Sequence, residues 1–296
     1  MNHRNHEDRD TVQLGRTELL TGKLGYGAMH LSIDREKRPT DEESILLIQR
    51  AVDELGIDLI DTADAYCIDE EEKGHNERLI AQALDGERRQ RVVVATKGGS
   101  TRPNGRWERN GRPEYLRSAC EASLKALRTD RIDLYQLHAP DPDVPVEESV
   151  GTLFDLQQEG KIRYVGVSNF SLDQLKRGME EGEIVSIQNR YSVMDRRDQD
   201  QIIEFCEEEN IIYIPWNPVG GRGNAPEIGK MYETLGEIAE DHQVSPHTIA
   251  LAWLLDRSPI IRPIPGTRKF DHLAENMKSL HVELSDEEVA RLEDMP

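Results

Sequence analysis

Residues 91–97 read RVVVATK, a run of β-prone apolar residues that ends directly in a lysine. Two other segments have the same form, since residues 57–61 read IDLID and residues 132–138 read IDLYQLH. A short apolar run of this kind is typical of a strand that is buried on both faces of a parallel sheet. Each run therefore carries a chemically active side chain, Lys97, Asp61 or His138, to the carboxyl end of a predicted strand.

On both sides of these three runs, the chain alternates between predicted strands and predicted helices. The eight apolar runs are Lys23–Met29, Ile57–Asp61, Arg91–Thr96, Ile132–Leu137, Tyr164–Ser168, Ile184–Gln188, Ile211–Trp216 and Ile261–Ile264. Segments with apolar residues at helical spacing follow them: Asp41–Leu55, Asn76–Leu84, Pro113–Leu127, Val146–Gln158, Leu172–Glu180, Asp198–Glu208, Pro246–Leu255 and Lys269–Leu280. Eight such pairs predict either a closed (β/α)8 TIM barrel or an open, doubly wound α/β sheet.

The positions of polar residues favour the barrel. Polar or aromatic side chains follow most of the predicted strands, namely Asp61, Lys97, His138, Ser168 with Asn169, Gln188, and Trp216 with Asn217. In a barrel these strand ends converge on one mouth, whereas in an open sheet they spread along an edge. The sequence also lacks a GxGxxG motif after a strand, which disfavours a Rossmann dehydrogenase.

The remaining segments predict small additions to one domain. Residues 1–10 are almost wholly polar and are expected to form a flexible tail, so that residues 11–296 form a single domain. Alternation around Gly15 predicts an N-terminal β-hairpin, and Met231–His242 and the terminal LSDEEVARLEDM predict two extra helices. A length of 296 residues is compatible with one barrel domain.

The charge of the chain limits its partners. It has 57 acidic and 37 basic residues, of which only 10 are lysine, and a formal net charge of −20. Such an acidic surface repels nucleic acid and anionic membranes, so we expect a small-molecule partner. An acid-rich, lysine-poor surface suits a halophilic source and an acidic mesophilic enzyme equally well.

Cysteine usage and hydropathy predict a cytoplasmic location. The three cysteines are Cys67, Cys120 and Cys206, and no CxxC pair indicates a disulfide framework or a zinc site. No apolar run approaches 18 residues, which predicts neither a signal peptide nor a membrane span. We expect a monomer or a weak homo-oligomer.

Four residues suggest acid–base chemistry when they are taken together. Asp61 and Tyr66 lie in the segment DTADAY, and a buried Lys97 would need a carboxylate such as Asp61 as its partner. A lysine beside a tyrosine favours the phenolate, so Lys97 is expected to lower the pKa of Tyr66 and make it a usable general acid. His138 could orient a carbonyl substrate. Each residue alone would also fit a structural role, including a plain buried ion pair.

An ordered series of motifs resembles the aldo-keto reductase superfamily. The motifs are GYGAM at 25–29, DTADAY at 61–66, ATKGG at 95–99, IDLYQLH at 132–138, GKIRYVGVSNF at 160–170, SIQNRYSV at 186–193 and PIPGTR at 263–268. The resemblance covers the chain from Thr11 onward. It implies a (β/α)8 barrel and NADPH-dependent reduction of an aldehyde or ketone to an alcohol. It further implies that Tyr66 donates the proton, Lys97 tunes Tyr66, Asp61 holds Lys97 and His138 positions the carbonyl.

The same resemblance implies a set of cofactor-binding residues. Ser168, Asn169 and Gln188 would hold the nicotinamide carboxamide, and Trp216 would stack on the nicotinamide ring. The pair Trp216-Asn217 departs from the tyrosine-serine pair that is common in relatives, and the glycine-rich loop that follows is short. The backbone of Gly220, Gly221 and Arg222 could still wrap the pyrophosphate.

A second group of residues would bind the other end of the cofactor. Gly266 and Thr267 lie between the eighth strand and its helix, at the common phosphate position of barrels. Arg268 lies where a 2′-phosphate would sit, which favours NADPH, although NADH remains possible. Glu275 and Asn276 resemble the adenine contacts of the family, and both also fit an ordinary surface role.

The substrate pocket is predicted from loops around Met29, Trp107 and Val219. No histidine pair has metal-ligand spacing, so no metal site is expected. The alternative function is a cofactor-binding regulatory subunit with little turnover. An isomerase or lyase that uses Lys97 as a Schiff base would need activity without nicotinamide.

Overall fold

A parallel sheet of seven strands forms the body of the protein. The computed structural model describes residues 11–196, 199–220 and 227–295, so the predicted tail at 1–10 lies outside the described residues. The strands are β1 Val12–Gln13, β2 Leu20–Thr21, β3 Tyr26–Gly27, β4 Leu59–Asp61, β5 Val93–Gly98, β6 Ser100–Thr101, β7 Glu108–Arg109, β8 Ile132–Leu137, β9 Ile162–Ser168, β10 Ile184–Gln188 and β11 Ile212–Tyr213. In the large sheet the order is β11-β10-β9-β8-β5-β4-β3, and every pairing is parallel.

The segment 260–265 closes this sheet into a barrel, although the strand predicted at Ile261–Ile264 is wrong. The segment forms one isolated bridge, to Tyr213, instead of a ladder. Arg262 donates to the carbonyl of Tyr213 at 2.9 Å, and on the other side Gly25 and Gly27 donate to the carbonyls of Pro263 and Pro265 at 2.9 and 3.2 Å. Because proline has no N–H, these two positions only accept, and a regular strand cannot form.

The helices alternate with the barrel strands as predicted. They are α1 Asp41–Asp53, α2 His75–Ala83, α3 Glu87–Gln90, α4 Pro113–Leu127, α5 Val146–Gln158, α6 Leu172–Met179, α7 Asp200–Glu209, α8 Ile228–Met231, α9 Glu233–His242, α10 Pro246–Arg257, α11 Phe270–Met277 and α12 Asp286–Glu293. The predicted helix Met231–His242 is divided into α8 and α9 at Tyr232, and the helix predicted to Leu280 ends in a 3₁₀ turn, Lys278–His281. The extra helices and the N-terminal hairpin of β1 and β2 are confirmed.

Local signals explain where these elements begin. Thr40 caps α1 in a capping box with Glu43, and Ser245 caps α10 with Pro246 at its first position. One face of α1 buries Leu47, Ile48 and Val52, and strands β5 and β10 are buried along their whole length. Burial of apolar side chains on the strands and on the inner helix faces holds the fold together. In the described part of the chain, no helix is both long enough and apolar enough to cross a bilayer.

Candidate active site

The carboxyl ends of three neighbouring strands bring the predicted catalytic residues together. Asp61 ends β4, Lys97 lies near the end of β5, and His138 directly follows β8. Parallel pairing sets Asp61 beside Ala95 and Lys97 beside Gln136, so the side chains project into the same mouth. Tyr66 lies in the loop after β4, where its N–H donates to the carbonyl of Ala63 at 3.1 Å.

The buried Lys97 ammonium is the hub of this group. Its Nζ donates to Asp61 Oδ1 at 2.6 Å, to the Thr62 carbonyl at 2.8 Å and to the Tyr66 hydroxyl oxygen at 3.0 Å. The predicted pairing of Lys97 with Asp61 and Tyr66 is present in the structure. The phenol oxygen thus accepts from Lys97, and the Asp61 carboxylate lies within hydrogen-bonding reach of the same hydroxyl.

Burial controls the charge states of the group. Desolvation, with Asp61 adding to it, raises the pKa of Tyr66 well above 10.0, so the phenol is protonated at neutral pH. Burial and the Asp61 charge therefore set the net direction of the Tyr66 pKa in this structure, and the tuning of Tyr66 by Lys97 stays a prediction. Burial also lowers the pKa of Lys97, and the Asp61 carboxylate opposes this effect.

His138 is a neutral imidazole that faces the mouth. Burial, with Lys97 and Lys73 adding to it, lowers the pKa of His138 well below 6.5. Its backbone is held on both sides, since its N–H donates to Gly98 at 2.8 Å and its carbonyl accepts from Asn169 Nδ2 at 2.9 Å. Its Nδ1 is buried and has no hydrogen-bond partner among the described residues. A neutral imidazole carries one N–H donor, which can hydrogen-bond to a carbonyl substrate.

Two glutamines support Asp61 from distant parts of the chain. Gln188 Nε2 donates to Asp61 Oδ2 at 2.8 Å, and Gln136 Nε2 lies 3.5 Å from the same oxygen. Sequence reasoning placed Gln188 on the cofactor and missed Gln136 altogether. A polar residue within the otherwise apolar strand β8 was the signal that could have identified it.

A buried amide network behind Lys97 was also missed. Thr62 Oγ1 donates to Asn76 Oδ1 at 2.6 Å, and Asn76 Nδ2 donates to the Ala28 carbonyl at 2.9 Å and to Ser32 Oγ at 2.7 Å. This network connects the backbone that holds Lys97 to the loop after β3. The loop carries Met29, which lines the mouth of the barrel.

A cavity of about 950 Å³ opens above these residues. Its volume is in the range of small-molecule sites. Most of the predicted site residues line it, namely Met29, Asp61, Tyr66, Trp107, His138, Ser168, Asn169, Gln188, Trp216, Asn217, Val219, Gly266, Thr267 and Arg268. Lys97 lies beneath the floor and is wholly buried.

Trp107 forms the wall of the cavity next to the catalytic group. Its ring makes edge contacts with Tyr66 and His138, at centroid distances of 6.5 and 5.6 Å. The Arg102 guanidinium lies 4.3 Å from the Trp107 ring centroid, and a cation in this position stabilises the ring. The prediction that Trp107 lines the pocket is consistent with this position.

Trp216 lies on the opposite part of the mouth and belongs to a hydrogen-bonded chain. Its Nε1 donates to Asn169 Oδ1 at 3.1 Å, and Asn169 Nδ2 lies 3.1 Å from Ser168 Oγ. Ser168 Oγ in turn donates to the Gln188 carbonyl at 2.9 Å. The three candidates for the nicotinamide end, together with Trp216, therefore form one preorganised surface.

Of the residues predicted to bind the other end of the cofactor, some line the cavity and others do not. Arg268 lines the cavity and donates to the Lys37 carbonyl at 2.7 Å, with Asp34 at 3.4 Å. The cavity wall does not include Gly220, Glu275 or Asn276, and Glu275 instead accepts from the Ser245 N–H at 3.0 Å. The roles of these three residues stay predictions. Gly221 and Arg222 lie outside the described residues.

Two glycines allow the backbone to approach closely beside Arg268. A Cβ on Gly27 would lie 2.7 Å from the Ile264 carbonyl oxygen, and one on Gly266 would lie 3.0 Å from the Gly27 oxygen. A side chain at Gly27 would therefore collide with the backbone of the closing segment, and one at Gly266 would crowd Gly27 and the His30 ring. The two glycines let the loop after β3 and the closing segment pack closely at the cavity wall beside Arg268.

The match to a family model decides which family of barrels this is. The model described as the Aldo/keto reductase family matches residues 23–295. The chain belongs to the aldo/keto reductase family. It is 35% identical to an uncharacterized oxidoreductase of Schizosaccharomyces pombe over 287 residues, which covers 96% of this chain and 89% of that protein.

Solved aldo-keto reductases have the same fold. A thermostable aldo-keto reductase, solved with the inhibitor epalrestat, has a TM-score of 0.81 and 32% identity, and the match covers 96% of this chain and 98% of that one. An aldo/keto reductase from Klebsiella pneumoniae, solved with NADP and acetate, has a TM-score of 0.78 and 24% identity over 96% and 94% of the two chains. The predicted (β/α)8 fold is thus confirmed, and the protein is an oxidoreductase of the aldo/keto reductase family.

Proposed function

We propose that this aldo/keto reductase reduces an aldehyde or ketone to an alcohol with NADPH, and that Tyr66 donates the proton. The observation that carries the proposal is the Tyr66 hydroxyl, which lines the cavity and accepts from Lys97 at 3.0 Å. A protonated phenol at the cavity can protonate the carbonyl oxygen. The ammonium beside it stabilises the phenolate that remains after the transfer.

The residues present fit NADPH. When bound, NADPH supplies the hydride that adds to the carbonyl carbon. Ser168, Asn169 and Gln188 would hold its carboxamide, Trp216 would cover one face of its nicotinamide, and the backbone near Gly266 with Arg268 would hold phosphate. The preorganised chain from Trp216 to Ser168 and the position of Gly266 and Arg268 on the cavity wall support this assignment.

The substrate carbonyl would lie between Tyr66 and His138. Their rings are in edge contact with centroids 5.7 Å apart, so one oxygen can reach both side chains. A neutral His138 donates a hydrogen bond that orients the carbonyl without carrying a second positive charge. Asp61 holds the Lys97 ammonium in place, and its two glutamine contacts prevent it from rotating away. The direct contacts among the four residues favour an enzyme over a regulatory subunit with little turnover.

Substitution of the proton donor tests the proposal. In Tyr66→Phe we expect NADPH-dependent reduction of an aldehyde panel to fall at least a hundredfold, because general acid catalysis typically contributes about 10²–10⁴-fold. NADPH binding, followed by quenching of tryptophan fluorescence, should change little. Tyr232→Phe, at the junction of α8 and α9 outside the cavity, is the matched control. Turnover retained in Tyr66→Phe would remove Tyr66 from the mechanism.

A further inference from the structure

A short hairpin forms one wall of the cavity, which four of its residues line. Strands β6 and β7 are antiparallel, and Ser100 lies directly opposite Arg109. Directly opposed residues project from the same face of a hairpin. Ser100, Trp107, Glu108 and Arg109 all line the cavity, so the hairpin is in a position to contact a substrate.

The hydrogen bond that holds Arg109 at the wall, among the described residues, is one to a backbone carbonyl. Its Nη1 donates to the carbonyl of Pro140 at 3.2 Å. Within residues 11–196, 199–220 and 227–295, no carboxylate forms an ion pair with it, whereas the nearby Arg106 pairs with Glu108 at 3.5 Å. The Arg109 side chain is exposed at this wall, and the neighbouring Glu108, which also lines the cavity, pairs with Arg106 instead. Most of its donors remain available to a ligand.

The position of Arg109 separates it from Arg268, the cation expected to contact the cofactor. Arg268 follows the closing segment and contacts the loop after β3, at one side of the barrel mouth. Arg109 belongs to the hairpin after β5 and contacts the loop after β8, and β8 and β3 are three strands apart in the sheet. An anion at Arg109 would therefore belong to the substrate.

Arg109 also lies close to the reacting group. It is two residues from Trp107, whose ring centroid is 5.6 Å from that of His138, and it bonds to the second residue after His138. A substrate with its carbonyl at Tyr66 and His138 could reach Arg109 with a short carbon chain. A guanidinium offers two parallel N–H groups that match the two oxygens of a carboxylate or of a phosphate.

We propose that Arg109 binds an anionic oxyacid group of the substrate, so that this enzyme prefers carbonyl compounds that carry a carboxylate or a phosphate a few atoms from the carbonyl. The proposal rests on the proposed carbonyl reduction and specifies its substrate class. The net charge of −20 repels such anions, which makes a local cation at the mouth necessary for their capture.

Paired substrates that differ in charge test the assignment. The probes are 4-oxobutanoate against its methyl ester, and glyceraldehyde 3-phosphate against glyceraldehyde, each with NADPH at low ionic strength. In the wild type we expect kcat/KM to favour the anionic member of at least one pair by about tenfold, as for a charged hydrogen bond of about 1.5 kcal/mol. Raising the salt to 1 M should reduce the preference, since the screening length falls to about 3 Å.

Two substitutions locate the effect. Arg109→Gln should remove the preference, mainly through a higher KM for the anionic substrate, while Arg106→Gln on the same loop should retain it. Equal kcat/KM within both pairs, or a preference that survives in Arg109→Gln, would overturn the proposal. If no carbonyl is reduced at all, the proposed function fails instead. Calorimetric binding of 4-oxobutanoate to wild type and Arg109→Gln, both loaded with NADP⁺, then still decides whether Arg109 binds the anion.

Discussion

At the scale of single residues, the ammonium of Lys97 shows how this fold tolerates a buried charge. Lys97 is wholly buried, and an unpaired ammonium there would be expensive. Three acceptors surround it, and each comes from the segment 61–66. The ion pair that stabilises the buried lysine also fixes Tyr66 at the cavity, so structural and chemical roles coincide.

Arg268 allows a residue-level test of cofactor choice. We expect Arg268→Gln to weaken NADPH binding by about tenfold, because charged hydrogen bonds contribute about 1.5–3 kcal/mol and this side chain is one-third exposed. NADH, which lacks the 2′-phosphate, should bind almost as it does to the wild type. Titrations of both cofactors, followed by fluorescence, measure the two dissociation constants. An equal loss for NADH would mean that Arg268 acts only through its contacts with Asp34 and Lys37.

Glu77 predicts a pH dependence of stability. It is fully buried, and desolvation raises its pKa from 4.5 to about 7. Since the folded pKa exceeds the unfolded one, the free energy of unfolding falls as the pH rises from 4.5 through 7. A shift of this size corresponds to about 3 kcal/mol. The free energy of unfolding of Glu77→Gln, measured relative to that of the wild type, should therefore increase by up to about 3 kcal/mol between pH 5 and pH 8.

Urea denaturation at the two pH values measures this gain. The amide oxygen in Glu77→Gln would keep an acceptor for Thr96, whose hydroxyl donates to Glu77 Oε1 at 2.6 Å in the wild type. Glu87→Gln, an exposed change on α3, is the control and should show no such trend. A Glu77→Gln variant with the same pH dependence as the wild type would show that Glu77 titrates normally.

At the scale of elements, α2 couples the catalytic strands to the loop after β3. Its second residue, Asn76, uses both ends of its amide, and its partners lie on Ala28, Ser32 and Thr62. Removal of this amide leaves buried donors and acceptors without partners, which is costly in an apolar interior. The position of Met29 at the cavity and of Thr62 beneath Lys97 therefore depends on a helix that does not touch the substrate.

Asn76→Ala should lower both stability and activity. We expect a loss of about 2–4 kcal/mol in the free energy of unfolding, because each unsatisfied buried group costs about 1–3 kcal/mol. We also expect a lower kcat under conditions where the variant is fully folded, since Thr62 no longer has a fixed position. Gln82→Ala, on the exposed side of α2, is the matched control. Unchanged kcat in folded Asn76→Ala would limit the residue to a structural role.

At the scale of the whole molecule, the excess of acidic residues dominates the surface. The many arginine–carboxylate pairs, such as Arg177 with Glu147 at 2.6 Å, are exposed and are therefore worth little individually. A net charge of −20 acts on the whole surface and disfavours the compact state. We infer that repulsion outweighs the surface pairs at low salt.

Thermal unfolding in NaCl tests this balance. We expect Tm to rise by several degrees from 10 mM to 0.3 M NaCl, because the screening length falls from about 30 Å to below 10 Å over this range. Most of the increase in Tm should occur between 10 mM and 0.3 M NaCl. Nonspecific salting-out would instead continue to raise Tm toward 3 M. A Tm that stays flat or falls up to 0.3 M would show that the ion pairs dominate. Continued gain above 1 M would indicate salting-out in addition to charge screening.

The sequence by itself determined the alternation of strands and helices and the positions of Asp61, Lys97 and His138 at strand ends. Hydrophobic periodicity and capping residues are local signals, so they can be read without the fold. The same locality explains the errors at the ends of elements. The strand predicted at Ile261–Ile264 failed because Pro263 and Pro265 cannot donate to a ladder.

Only the tertiary structure decided how these side chains act. Gln188 is 127 residues from Asp61 in the chain, and its donation to that carboxylate arises from sheet order rather than from local sequence. The raised pKa of Tyr66 and the position of Trp107 over it are likewise products of packing. Burial and contacts between distant segments depend on the closed barrel, and no local pattern in the sequence records them.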